Sequence, residues 1–238
     1  MKYRYETHCH TVPVSRCAKA TVRETVEFYK AEGYDGIFIT NHFLDGNINI
    51  SPDSELSYEQ KIEFYFSDYE EAYRIGKEIG LKVFPGVEQS YRGTDFLIYG
   101  LDKEWFLAHP EIMEMKQSAK LNFLMSAGAL VVHAHPFREA GYIDHIRLFP
   151  RGIHAVEIIN GCQRELTNRM AQIYAKEYGF QVTAGTDNHV ADQIPVLAGI
   201  ETEEPIECVQ DYIHCVLNGT LTVFRRERKV ERTGDNPG

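Results

Sequence analysis

Glu6-Thr7-His8-Cys9-His10-Thr11 arrives almost at the start of the chain, and the rest is organised around it. Side chains two apart on an extended segment lie on the same side of the backbone, so His8 and His10 can grip one cation from one direction. Imidazole nitrogens hold Zn, Mn or Fe in this way. Alone the pair is weak evidence, because nearby histidines often mark only a polar strand end. Its weight comes from the rest of the chain, where short apolar runs repeatedly end on His, Asp or Glu.

Working outward, residues 11–20 are polar and irregular and read as a loop. Thr21-Val-Arg-Glu24 has capping-box form, and Val22, Val26 and Tyr29 share a helical face before Gly33 stops the helix. Gly36-Ile-Phe-Ile-Thr40 is a short buried strand that ends on Asn41-His42. After a loop over 43–56, Ile62, Tyr65, Tyr69, Ala72, Gly76 and Ile79 keep helical spacing, and Gly80 is the stop. Leu81 to Val87 reads as a strand delivering Glu88, and residues 94–101 as another with Asp95 near its start. Pro110 suits the first turn of a helix running to about Gly128. Ala129-Leu-Val-Val132 is strand-like and leads to His133-Ala-His135-Pro136. His154 to Ile159 carries Glu157, and a helix marked by Leu166, Met170, Ile173 and Tyr174 ends at Gly179. Phe180 to Gly185 then delivers Thr186-Asp187-Asn188-His189. A strand over Val196–Ile200, a helix from near Pro205 through Val216, and Leu221–Phe224 complete one domain over 1–224. Residues 225–238 form a polar tail expected to fray.

Strands alternating with helices indicate an α/β domain with a mainly parallel sheet. Polar residues at many strand ends favour a closed barrel, whose strand ends converge on one face, over an open doubly wound sheet. Neither GxGxxG nor GxxxxGK[ST] occurs, which removes support for the nucleotide-binding open sheets. A net charge of −10 argues against a duplex-binding surface, which needs a basic footprint. A small anionic substrate remains compatible, because metals and a few arginines reverse the sign locally. No apolar stretch approaches membrane-span length, so no membrane partner is expected. Five cysteines without a CxxC pattern read as reduced thiols of a cytoplasmic protein.

Five pieces in order, His8-x-His10-Thr11, Ile39-Thr-Asn-His42, Gly86-Val-Glu88, His133-Ala-His135-Pro136 and Thr186-Asp187-Asn188-His189, span residues 8 to 189. In them the sequence resembles the polymerase and histidinol phosphatase (PHP) family of metal-dependent phosphoesterases. The resemblance implies a distorted (β/α)7 TIM-like barrel, with two or three divalent ions (Zn, Mn or Fe) at the C-terminal ends of its strands. It assigns His8, His10, Glu88 and Asp187 to a first metal. Glu88 bridges to a second metal held with His135 and Asp95, and His42 and His189 belong to a third. Of the two histidines in HAHP, His135 matches the family ligand and His133 stands behind it. Glu157 is expected to orient ligands rather than bind. The sequence departs from the pattern at Ser15-Arg16-Cys17, where many relatives carry Ser-Asp-Gly or a histidine. Either Cys17 substitutes as a thiolate, or two metals are held and Arg16 supplies positive charge. Asn41 replaces a common Asp and can still orient His42 by a hydrogen bond.

The chemistry implied is attack on phosphorus by a metal-activated water. Arg16, Arg92 and Arg138 are candidates to clamp the ester, Arg138 being best placed after HAHP. His189 or His42 can supply a proton to the leaving alkoxide if it stays unmetallated. The expected activity is hydrolysis of a small phosphate monoester, histidinol-phosphate-like or nucleotide-like. A nuclease acting on single strands is the rival, disfavoured by the −10 charge. Carbon–nitrogen hydrolysis lacks its metal-bridging lysine, and a non-catalytic metal-binding module is kept in view by the altered Ser15-Arg16-Cys17 loop.

Overall fold

The computed structural model describes residues 2–229. Its strands form two five-stranded sheets, not one closed ladder. The first has the order β10-β9-β1-β2-β3, from β1 (Tyr3–Cys9), β2 (Gly36–Ile39), β3 (Lys82–Pro85), β9 (Val196–Thr202) and β10 (Leu221–Glu227). The second runs β4-β5-β6-β7-β8, from β4 (Val87–Tyr91), β5 (Thr94–Tyr99), β6 (Leu130–Ala134), β7 (Ala155–Asn160) and β8 (Gln181–Gly185). The expected mainly parallel barrel is therefore corrected. Four strand pairs are parallel and four antiparallel, and the fold is a mixed α/β arrangement.

Pro85-Gly86 is where the chain changes sheet. The expected strand over 81–87 stops at Pro85, which has no N–H to donate. Gly86 gives its N–H to Ile39 O, and a Cβ there would press on Thr40 and Tyr99. The chain then turns away as β4, so Glu88 sits inside an antiparallel hairpin with β5 rather than at a parallel strand end.

The sheets meet along two seams. At one, Asp187 N–H donates to His8 O at 2.7 Å and His10 N–H to Asn188 O at 2.9 Å. At the other, Glu88 N–H donates to Asn41 O and Phe43 N–H to Glu88 O. Side chains replace the missing ladder: Glu6 Oε1 accepts the N–H groups of His8 and Thr186, and Thr7 Oγ1 donates to Ala184 O. Between the sheets lies an apolar plug that includes Tyr5, Phe38, Phe84, Leu97, Leu130 and Ile200. It fills the space that a barrel interior would occupy.

The helices pack outside. α1 (Val22–Ala31) carries the expected Thr21–Glu24 capping box, and α2 (Tyr58–Ile79) is closed by Ser57–Gln60 at one end and left-handed Gly80 at the other. The helix expected from Pro110 to Gly128 is instead broken. α3 (Lys103–Ala108) is capped by Asp102, a 3-10 turn covers Pro110–Met113, and α4 (Gln117–Ser126) follows. Proline restrains His109, which leaves helical geometry at φ −127 and ψ 59. α5 (Glu165–Tyr178) ends at Gly179 as expected. α6 (Val209–Asn218) starts later than the expected Pro205. The last strand runs past 224 because Arg225, Arg226 and Glu227 pair with Ala198, Leu197 and Val196. The rest of the expected tail, from 230, lies outside the described residues.

Candidate metal centre

His8 in β1, His10 just after it, His42 after β2, Glu88 in β4, Asp95 in β5, His135 just after β6, and Asp187 and His189 after β8 come together here. Glu88 is the hub. Its Oε1 lies 3.2 Å from His8 Nε2 and 3.3 Å from His135 Nε2, and its Oε2 lies 3.4 Å from His10 Nε2 and 2.6 Å from His42 Nδ1. Asp187 Oδ1 is 3.3 Å from His10 Nε2 and 3.5 Å from His8 Nε2, with Oδ2 3.8 Å from His135 Nε2. Asp95 Oδ2 is 3.9 Å from His135 Nε2, and its Oδ1 accepts from Ser90 Oγ. The ligand atoms fall into overlapping groups: His8, His10 and Glu88; Glu88, Asp95 and His135; His10, His42 and His189. A fourth group joins His8, His135 and Glu157; Asp187, assigned by the resemblance to the first metal, falls in none of the four, and His10 joins His42 and His189.

The hydrogen bonds fix which ring nitrogens face inward. Ser15 has one hydroxyl hydrogen, and it goes to Asn41 Oδ1 at 2.8 Å. His10 Nδ1, 3.0 Å from the same hydroxyl, must therefore be the donor in that contact. That leaves His10 Nε2 with its lone pair free. His8 Nδ1 donates to Glu157 Oε1 at 2.9 Å, and His189 Nδ1 donates to Asp187 O at 2.8 Å. Partners of this kind set the tautomer and orientation of metal-binding histidines.

His8 Nε2, His10 Nε2, His42 Nδ1 and Glu88 Oε2 are all buried without a hydrogen-bond partner. The close approach of His42 Nδ1 to Glu88 Oε2 does not have hydrogen-bond geometry. Buried polar atoms rarely stay unsatisfied. Four of them converging with two further carboxylates fit a divalent-cation centre.

The electrostatics agree. Burial opposes ionisation of Glu88, yet His42, His8 and His10 around it hold its carboxyl well below the usual range. Asp187 is likewise held down, by His8, His10 and His189 against burial. Burial, reinforced by His189 and His42, keeps His10 well below its ordinary pKa and therefore neutral. His135 and Asp187 also have positive φ, 26° and 61°. Such strain costs about 1–3 kcal/mol per residue and gathers at functional sites.

Other expectations fare differently. Glu157 does orient ligands: besides His8, its Oε2 accepts the His135 N–H and an N–H of Asn160, each at 3.0 Å. His133 turns away from the site, stacks on Phe96 and contacts Thr94 Oγ1. Burial lowers its pKa to about 3. Asn41 acts on His42 indirectly, by holding the Ser15 hydroxyl that accepts the His42 N–H. Cys17 lies in the cleft, 3.2 Å from His42 Nε2. Partial burial pushes its thiol up, but hydrogen bonds with His189 and His42 outweigh it and bring the pKa down to about 6. Arg138 lines the same cleft, a cavity of about 610 Å³. Arg16 does not: it donates to Ile50 O and faces a neighbouring groove. Arg92 is also outside the lining, with its guanidinium over Tyr91.

One contributor escaped sequence reasoning. Asp68 in α2 accepts from Thr11 Oγ1, Asn41 Nδ2 and Val14 N–H, pinning the loops that carry His10 and His42. An acidic residue three positions after Tyr65, beside the apolar stripe of α2, was the available signal.

A family model described as PHP-associated matches residues 165–214, and the whole fold is similar to solved PHP-like structures. By these matches the chain resembles the PHP family in fold. A two-domain protein from Bacteroides vulgatus, described as containing a predicted PHP-like metal-dependent phosphoesterase, superposes with TM-score 0.68 at 13% identity. The match covers 94% of this chain but only 65% of that protein, so this chain spans less than two thirds of its length. A candidate metal-dependent phosphoesterase from Bifidobacterium adolescentis gives 0.56 at 13% identity, covering 90% of this chain and 95% of that one. An amidohydrolase from Chromobacterium violaceum, with bound sulfate and no metal, gives 0.52 at 13%, covering 92% and 97%. At these identities the likeness concerns the fold alone. A comparison with curated proteins returns no match. No helix among the described residues is long and apolar enough to cross a membrane.

Proposed function

We propose that the protein is a metal-dependent hydrolase of small phosphate monoesters, holding two or three divalent ions of the Zn, Mn or Fe type. The observation that carries this reading is the convergence of unpartnered atoms of buried His8 and His10 with those of His42 and Glu88, which line a cleft that Arg138 also lines. When bound, the ions supply Lewis acidity at phosphate oxygens and a water that ionises near neutral pH. His8, His10, Glu88 and Asp187 would hold the first ion, His135 and Asp95 with Glu88 the second, and His42 and His189 a third. Ser15 and Glu157 keep the histidines in the ligating tautomer. Arg138 offers paired N–H donors to phosphate oxygens. With only two ions bound and His189 unmetallated, its Nδ1–H tied to the Asp187 carbonyl, its other nitrogen can instead hold a proton for the leaving alkoxide. The size of the cleft and the −10 net charge support a small ester over a polynucleotide.

Metal content by elemental analysis and a phosphate-release screen on the same sample test this. Two or three equivalents of metal with turnover of p-nitrophenyl phosphate are expected, and joint replacement of His8 and His10 by alanine should abolish turnover while leaving the circular dichroism spectrum unchanged. Full activity in that variant, or oligonucleotide cleavage without monoester turnover, would overturn the reading.

A further inference from the structure

Beside the metal cleft runs a second groove of about 510 Å³, and Gly46 lines both. The wall between them is the segment that departs from the family pattern. Cys17 lines the metal cleft, and its neighbour Arg16 lines the groove. Backbone bonds fix this wall: Ser15 bridges Ile48, and Arg16 N–H donates to Asn47 O at 3.0 Å.

The groove has a definite chemistry. Its sides are Leu44, Ile48, Ile50, Tyr58 and Met113, most of them only partly covered where they pack on the main core. The Tyr58 hydroxyl donates to Phe106 O, which holds the ring in place as a flat apolar wall. Arg16 and Lys61 supply two cations, and no carboxylate lines the groove. Among the described residues neither cation forms an ion pair. Arg16 spends one N–H on Ile50 O at 2.8 Å, which anchors the guanidinium and leaves donors over. In a chain of net charge −10, two cations without carboxylate partners beside an apolar trough mark a local reversal of sign.

We propose that this groove is the leaving-group subsite, and that it takes esters whose alcohol part is an apolar body ending in a second negative charge. The inference rests on the phosphomonoesterase reading, which puts the phosphate in the adjoining cleft. It narrows the substrate class: a leaving group bearing an ammonium, as in histidinol phosphate, meets like charge from Arg16 and Lys61. A phosphorylated alcohol carrying a distal carboxylate or second phosphate meets opposite charge, and its carbon body covers the exposed apolar wall.

Binding of non-hydrolysable phosphonates to the metal-loaded protein, measured by calorimetry, tests this without requiring turnover. The probes are ω-carboxyalkyl phosphonates of graded chain length, each against the alkyl phosphonate of the same length. At the length that spans Gly46, the carboxylate should tighten binding about fivefold, the order expected for a partly exposed charge pair. The double variant Arg16→Gln, Lys61→Gln should lose that gain while binding methylphosphonate as the wild type does. No gain at any length, or a gain that survives in the double variant, would overturn the proposal. Failure of the parent reading looks different: p-nitrophenyl phosphate would not be turned over, whatever the chain-length profile.

Discussion

All three donors that reach Asp68 go to one oxygen, Oδ2, while Oδ1 is buried without a partner. Burial raises its pKa against the effect of those hydrogen bonds. A carboxyl whose pKa is raised on folding favours the folded state while protonated, and that contribution is lost as pH climbs through the raised value. Asp68→Asn can keep its oxygen on the same three donors and remove the buried charge. We expect its stability relative to wild type to grow as pH rises from below the ordinary carboxylate range to neutrality, read from urea unfolding at several pH values. A pH-independent difference would refute the assignment. Asp68→Ala instead strands three donors and should cost about 1–3 kcal/mol. Glu157→Gln removes the carboxylate that fixes His8 and should weaken metal binding about 10–100-fold, measured by competition with a chromophoric chelator. Wild-type affinity would mean that Glu157 has no part in orienting the site.

At the scale of elements, the seam between β1 and β8 sets how far apart His8 and Asp187 stand. A Cβ on Gly185 would overlap the Cβ of His8 and crowd its backbone nitrogen. The seam closes to this distance only because residue 185 has no side chain. Gly185→Ala should therefore destabilise the fold by about 1–3 kcal/mol and spread the ligands. Denaturant midpoints and metal stoichiometry would show both effects. An unchanged midpoint with full metal content would show that the seam gives way easily. The hairpin of β4 and β5 has the complementary role, because it lets Glu88 reach across to His8, His10 and His42.

For the whole molecule, the ligands come from both sheets, so a bound cation ties the sheets together at their seams. A ligand that binds only the folded state stabilises it by about 2.7 kcal/mol at a concentration 100-fold above its Kd. In a chain of this size that raises the melting temperature by roughly 5–10 °C. Calorimetric scans should show a drop of that order on chelation and its recovery on adding back metal. Identical scans with and without chelator would show that the cluster holds no ion.

The sequence by itself determined the helix caps at Thr21, Ser57, Gly80 and Gly179, most strand positions, and the set of residues that meet at the centre. These are legible because capping and short-range periodicity are local, and because ligand types in fixed order repeat a chemical requirement. Tertiary structure decided the rest. Whether the sheet closes depends on pairing between segments far apart in the chain, and here Glu6, Thr7 and the Pro85-Gly86 break replace ladder bonds at the seams. The tautomer of His10 depends on Ser15 and Asn41, brought together from separate loops. Arg16 lies one residue from Cys17 in sequence, yet a bridged loop wall sends the two to different cavities, and no local pattern encodes that wall.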